Sequence, residues 1–259
     1  MMSFIDTHAH LYDEQFHADR AAVIESAIQA GVEEIYLPNC NSETIEAMLE
    51  LAVRWPGHCY PMMGLHPCYV KEDYEQELQI VAKELSLGKY FGVGEVGLDK
   101  YWDLSFLEAQ RAAFLYQIDL SAQYKLPLVI HSREATQDCI DLVKSCQKGQ
   151  LRGIFHCFSG TVEEAKQVVD LGFYLGIGGV VTFKRSNLPE IIKEVGLSHV
   201  VLETDAPYLA PVPYRGKRNE SSYIPIIAQM VADVLEMPLE KVAKQTTENA
   251  KKVFTKHLN

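Results

Sequence analysis

The sequence predicts a single-domain (β/α)8 barrel, a TIM barrel, spanning residues 1–259. Three observations carry that expectation. Eight short apolar or β-branched runs recur along the chain, stretches of helical period lie between them, and no linker rich in Pro, Gly or Ser divides the chain. A doubly wound open sheet is the competing arrangement for the same alternation.

The strand candidates are 4–7, 34–37, 59–65, 91–95, 127–130, 153–156, 173–177 and 199–203. Amphipathic stretches at 21–30, 43–54, 106–124 and 134–146 carry apolar residues at intervals of three and four, as a helix with one buried face does. Ser42 and Thr161 read as N-caps, and Glu164 three residues after Thr161 completes a capping box. The stretch 224–257 reads as a helix pair broken near Pro238. Gly92, Gly94 and Gly97 fit the G-x-G-x-x-G pattern, but Leu98-Asp99-Lys100-Tyr101-Trp102 follows where a dinucleotide-binding helix should start. Those glycines are expected to let a barrel strand pack closely.

Lys and Arg number 24 against 35 Asp and Glu, for a net charge of −11, which disfavours broad non-specific binding of duplex DNA. A locally gripped nucleic-acid substrate stays open, because divalent cations reverse the sign of a site. The six cysteines form no C-x-x-C pair and read as reduced thiols, none of them catalytic. The opening residues carry neither a basic nor an apolar signal region, and no run reaches a membrane span, so a cytoplasmic protein is expected. Asn219-Glu220-Ser221 matches a glycosylation sequon that would be idle there.

Chemistry concentrates at the C-terminal ends of the strand candidates, where a barrel builds its site. His8 and His10 end the first, Glu95 the fourth, His131 the fifth and His156 the sixth, and Asp205 follows the eighth. His nitrogen and carboxylate oxygen together suit Zn²⁺, Mn²⁺ or Fe²⁺. Six ligands exceed one tetrahedral zinc with an open position, so a two-metal site is expected, with Glu95 the best bridge. His17, His58, His199 and His257 fit no such group.

The sequence resembles the TatD family of metal-dependent deoxyribonucleases, within the amidohydrolase-like barrels. The resemblance rests on seven blocks in order: Phe4-Ile-Asp-Thr-His-Ala-His-Leu11, Gly64-Leu-His-Pro67, Gly94-Glu-Val-Gly-Leu-Asp99, Pro127-Leu-Val-Ile-His-Ser-Arg133, His156-Cys-Phe-Ser-Gly160, Leu202-Glu-Thr-Asp-Ala-Pro-Tyr-Leu209 and Arg215-Gly-Lys-Arg-Asn-Glu220. It implies His8, His10, Glu95 and Asp205 around one ion, and Glu95, His131 and His156 around the other. One departure is Ser221-Ser222 after Asn-Glu, where such proteins commonly have Pro; it touches only the shape of that loop.

The expected reaction is phosphodiester hydrolysis of DNA by a bridging hydroxide between two divalent ions (Mg²⁺, Mn²⁺ or Zn²⁺). The resemblance implies a 3′→5′ exonuclease acting on single strands or 3′ ends, with incision at abasic sites a further option. No membrane and no obligate protein partner are expected. Asp205 is assigned the base role; Glu203 is either catalytic or orients a His ligand. His66, Arg133 and Arg215 are the expected phosphate contacts, the last in a basic loop with Lys217 and Arg218. Tyr101, Trp102 and Tyr208 read equally well as base-stacking or loop-packing residues. Hydrolysis of an amide or ester on the same barrel, including aminoacyl-ester deacylation, is the alternative. A metal-storage site is disfavoured by the spare arginines.

Overall fold

The computed structural model describes residues 2–255. All eight expected strands form: β1 (Phe4–Asp6), β2 (Val32–Leu37), β3 (Cys59–Pro61), β4 (Val93–Asp99), β5 (Leu128–Arg133), β6 (Gly153–Phe155), β7 (Tyr174–Ile177) and β8 (Val200–Leu202). Every ladder is parallel, β1-β2-β3 in one sheet and β4-β5-β6-β7-β8 in another. Backbone bonds join the two sheets along both seams. Met63 N–H reaches Gly92 O at 3.1 Å and Gly94 N–H reaches Met63 O at 3.0 Å on the β3–β4 side. Thr7 N–H reaches Leu202 O at 3.1 Å and Asp205 N–H reaches His8 O at 2.9 Å on the β8–β1 side. These bonds close the ring of a (β/α)8 barrel.

The outer layer comprises α1 (Arg20–Gln29), α2 (Ile45–Arg54), α3 (Tyr74–Ser86), α4 (Leu107–Tyr124), α5 (Thr136–Cys146), α6 (Val162–Asp170), α7 (Leu188–Val195), α8 (Ile224–Leu235) and α9 (Leu239–Val253). The Thr161 capping box forms, with Thr161 N–H on Glu164 Oε2 at 2.7 Å and Glu164 N–H on Thr161 Oγ1 at 3.2 Å. Ser42 is not the cap of α2. It opens a short turn, Ser42–Thr44, and its hydroxyl and N–H bind Glu77 at 2.5 and 2.8 Å. The last helix pair breaks at Pro238 as expected, while His257 lies outside the described residues. Among the described residues no helix is long and apolar enough to cross a membrane.

Strand alternation sets the height of the functional layer. Ile5, Tyr36, Met62, Val129, Ile154 and Val201 cluster with Phe254, whose ring stacks on Tyr36 at 3.6 Å. Side chains two residues on share a face, so Val129, Ile154 and Val201 put His131, His156 and Glu203 directly above that apolar layer. Three strand ends shift from expectation by three residues or more. β4 runs on to Asp99, so Glu95 lies within the strand and not at its end. β5 likewise runs on to Arg133 and includes His131. β3 stops at Pro61, so His66 stands beyond it, capping the turn Pro67–Tyr69. The glycines of the false nucleotide motif do pack strands: at Gly97 (φ 137°) an added Cβ would lie 2.0 Å from His131 O.

Candidate active site

Glu95 is 2% exposed, and each oxygen of its carboxylate faces a different group of imidazoles. Oε2 lies 3.1 Å from His8 Nε2 and 3.4 Å from His10 Nε2. Oε1 lies 2.8 Å from both His131 Nδ1 and His156 Nε2, and 3.3 Å from His66 Nε2. Asp205 Oδ1 is 3.7 Å from His8 Nε2 and from His10 Nε2. All six residues expected as ligands therefore meet at one point above the apolar layer. Asp205 arrives by a left-handed backbone (φ 57°) after β8 has ended, and Glu203 also stands past the strand.

Neighbouring groups fix which ring nitrogen of His10, His131 and His66 faces inward. The Tyr12 hydroxyl donates to Pro38 O at 2.6 Å, so its oxygen accepts from His10 Nδ1–H at 2.9 Å, leaving a lone pair on His10 Nε2. Asp99 Oδ2 takes His131 Nε2–H at 2.8 Å and turns Nδ1 toward Glu95. His66 is the opposite case. Its Nδ1 accepts the Cys68 N–H at 3.0 Å, and burial holds the ring below the usual imidazole range, so Nε2 carries a proton. Although His66 groups by distance with Glu95 and His131, it offers an N–H and not a lone pair.

The donor set fits cations. Ligand atoms bound at about 2.0–2.2 Å stand about 3.0–3.5 Å apart at tetrahedral or octahedral angles. His8 Nε2, His10 Nε2 and Glu95 Oε2 lie 3.1–3.4 Å from one another, and no donor separates the facing nitrogens of His8 and His10 except a shared proton. Burial together with Glu95 and Glu203 raises the Asp205 carboxyl to about 6, outweighing His156 and His10. Burial works in the same direction on Glu95, but the His156, His66 and His8 rings outweigh it and hold that carboxyl well below the usual range. With carboxylates on both nitrogens, His131 is held above the imidazole range against its burial.

Behind this layer sits Glu203, fully buried, with Oε1 accepting the Cys157 N–H and lying 3.5 Å from His156 Nδ1. Gly176 makes room for it: a Cβ there would stand 2.3 Å from Glu203 Oε2. Asp6 ties the seam, accepting the Thr204 hydroxyl at 2.6 Å and its N–H at 3.0 Å. Tyr12, Asp99 and Asp6 were not singled out from the sequence. No local signal marks Asp99, whose pairing with Arg133 one strand over follows a slip in register between Val93 and Val96.

The expected phosphate contacts separate. Arg133 is exposed at the rim, its guanidinium 3.9 Å above the Tyr101 ring and 5.5 Å from that of Trp102. Arg215 lies 4.5 Å over Phe183. Neither meets a carboxylate among the described residues. Arg218 does: it forks onto Asp19 at 2.9 and 2.6 Å and onto Gln15 O at 2.6 Å, fastening the basic loop to the start of α1. Tyr208 edges against His10 at 6.2 Å.

Comparison with known proteins agrees with this picture. The family model described as TatD related DNase matches residues 5–255, and the chain belongs to that family as a metal-dependent hydrolase. It is 40% identical over 251 residues, 96% of this chain and 98% of the other, to YabD of Bacillus subtilis, named a metal-dependent hydrolase. It is 31% identical to a 3′-5′ ssDNA/RNA exonuclease TatD of Erwinia tasmaniensis, over 96% of this chain and 98% of that one. The crystal structure of YjjV, a TatD homologue from Escherichia coli K12, superimposes with a TM-score of 0.91 at 29% identity, covering 97% of each chain.

Proposed function

We propose that this chain hydrolyses phosphodiester bonds of single-stranded DNA from the 3′ end, with two divalent cations at Glu95. One observation carries the reading: a single carboxylate offers one oxygen to His8 and His10 and the other to His131 and His156. His8, His10 and Asp205 with Glu95 would hold one ion, and His131 and His156 with Glu95 the other. When bound, such a pair activates a water and neutralises charge on the phosphoryl oxygens.

The chain's own groups supply the rest. Asp205, raised to about 6, is the carboxylate at the open side of the cluster and takes the proton of the attacking water. His66 presents its Nε2–H, and Arg133 and Arg215 present guanidiniums without carboxylate partners, a set suited to the oxygens of a phosphate. Glu203 is a positioning residue, shut away beneath His156. The two free arginines favour phosphate over a carbonyl substrate, and the relative named an exonuclease supports the direction of attack.

The test is end-labelled single-stranded DNA with chelated and metal-repleted protein, wild type beside Glu95→Ala. Wild type should shorten the strand from its 3′ end and carry two ions by elemental analysis. The variant should lose both properties, by well over the roughly 10–100-fold typical of an outer-shell partner. Two bound ions with intact DNA would replace this reading with hydrolysis of an amide or ester.

A further inference from the structure

We propose that Trp102, Tyr101 and Arg133 form a nucleotide subsite at the barrel rim, where Trp102 stacks on a base and Arg133 holds the adjoining phosphate. The proposal rests on the nucleic-acid reading above and adds where the strand is gripped outside the cation cluster.

Trp102 is 69% exposed and Tyr101 49%. An indole left in water on a rigid loop forgoes a large apolar contact. The loop is held in place: Asp99 Oδ1 accepts the N–H of Tyr101 at 2.9 Å and of Trp102 at 3.0 Å, while Oδ2 orients His131. One carboxylate thus ties the backbone that carries the two rings to His131. The two rings meet edge to face at 4.8 Å and Arg133 covers a face of Tyr101, so Trp102 is the ring of the pair that stays most open.

Charge narrows the ligand. Three cations on adjoining segments are neutralised: Lys71 by Asp103 at 3.2 Å, Lys100 by Asp138 at 2.7 Å, and Arg111 also by Asp138. Arg133 is held instead by the face of Tyr101, which fixes the plane of the guanidinium and leaves its N–H edge without an acceptor among the described residues. A planar cation with a free edge, beside an exposed aromatic face, in a chain of net charge −11, matches an alternation of base and phosphate. Stacking does not discriminate among bases, so the subsite would accept any sequence but would need an unpaired strand.

The test uses the chain's two tryptophans, Trp55 and Trp102. In a Trp55→Phe protein the fluorescence reports Trp102 alone, and oligothymidylate is compared with an abasic strand of equal length under chelation. Oligothymidylate should quench Trp102 and the abasic strand should not. Trp102→Ala should raise KM for oligothymidylate about tenfold and leave the abasic strand unchanged. Hydrolysis with Trp102 unquenched and KM unmoved overturns the subsite and leaves the nuclease reading standing. Quenching without hydrolysis keeps the subsite and overturns that reading. Neither response overturns both.

Discussion

At the floor of the mouth Glu95 carries imidazoles on both oxygens and is almost wholly buried, whereas at the rim Arg133 and Arg215 lie in the open against Tyr101 and Phe183. The floor fixes its charges by contact between opposite or titratable partners, an arrangement that a cation completes. The rim fixes its charges with rings that cannot neutralise them, an arrangement that an anion completes. The same molecule therefore presents two charge signs a few residues apart, and net charge conceals both.

The largest break in that comparison should come from the residue the two regions share. Asp99→Ala removes the partner of His131 and the anchor of the Tyr101–Trp102 loop together. Metal affinity should fall by about 10–100-fold, as for other partners that orient a ligand, and KM for single strands should rise as well; isothermal titration and steady-state kinetics read the two effects separately.

A smaller effect should expose the strain at the floor. The Asp205 carboxyl ionises near 3.8 when unfolded and at about 6 when folded, chiefly because it is buried. Its protonated form thus favours folding below about 4, and that contribution is lost as pH rises toward 6. In chelated protein, Asp205→Asn should gain on the order of 2 kcal/mol relative to wild type between pH 4 and 7 by denaturant titration. With metal restored the variant should be the less stable protein at pH 7.

The smallest effect belongs to Arg218, whose partner Asp19 stands in solvent. Arg218→Ala should leave KM for oligonucleotides unchanged and barely move the melting temperature. A clear rise in KM would mean that an arginine tied to a carboxylate also grips substrate, which would erase the distinction between it and Arg133.

How far these regions were legible follows from residue type. Histidines and carboxylates at strand ends are conspicuous, and His8, His10, Glu95, His131, His156 and Asp205 converge as the sequence predicts. Asp99 is a different matter. It reads as a turn residue, and its bond to His131 depends on a register that slips between Val93 and Val96, where three steps of β4 run beside two of β5. Tyr12 lies beyond β1, and nothing local ties it to Pro38 O. At the rim, an exposed Trp and a loop-packing Trp look alike until their surroundings are known.

The β8–β1 seam has a consequence in time. Asp6 and Thr204 are 198 positions apart, and Asp205 bonds the backbone beside His8. During synthesis from the N-terminus, His8 and His10 emerge first and Glu95 follows, but Asp205 arrives only when nearly four-fifths of the chain has been made. The centre is thus a late assembly, completed only when the last strand meets the first, and a chain interrupted before Asp205 would leave the imidazole pair with one of its two carboxylates missing.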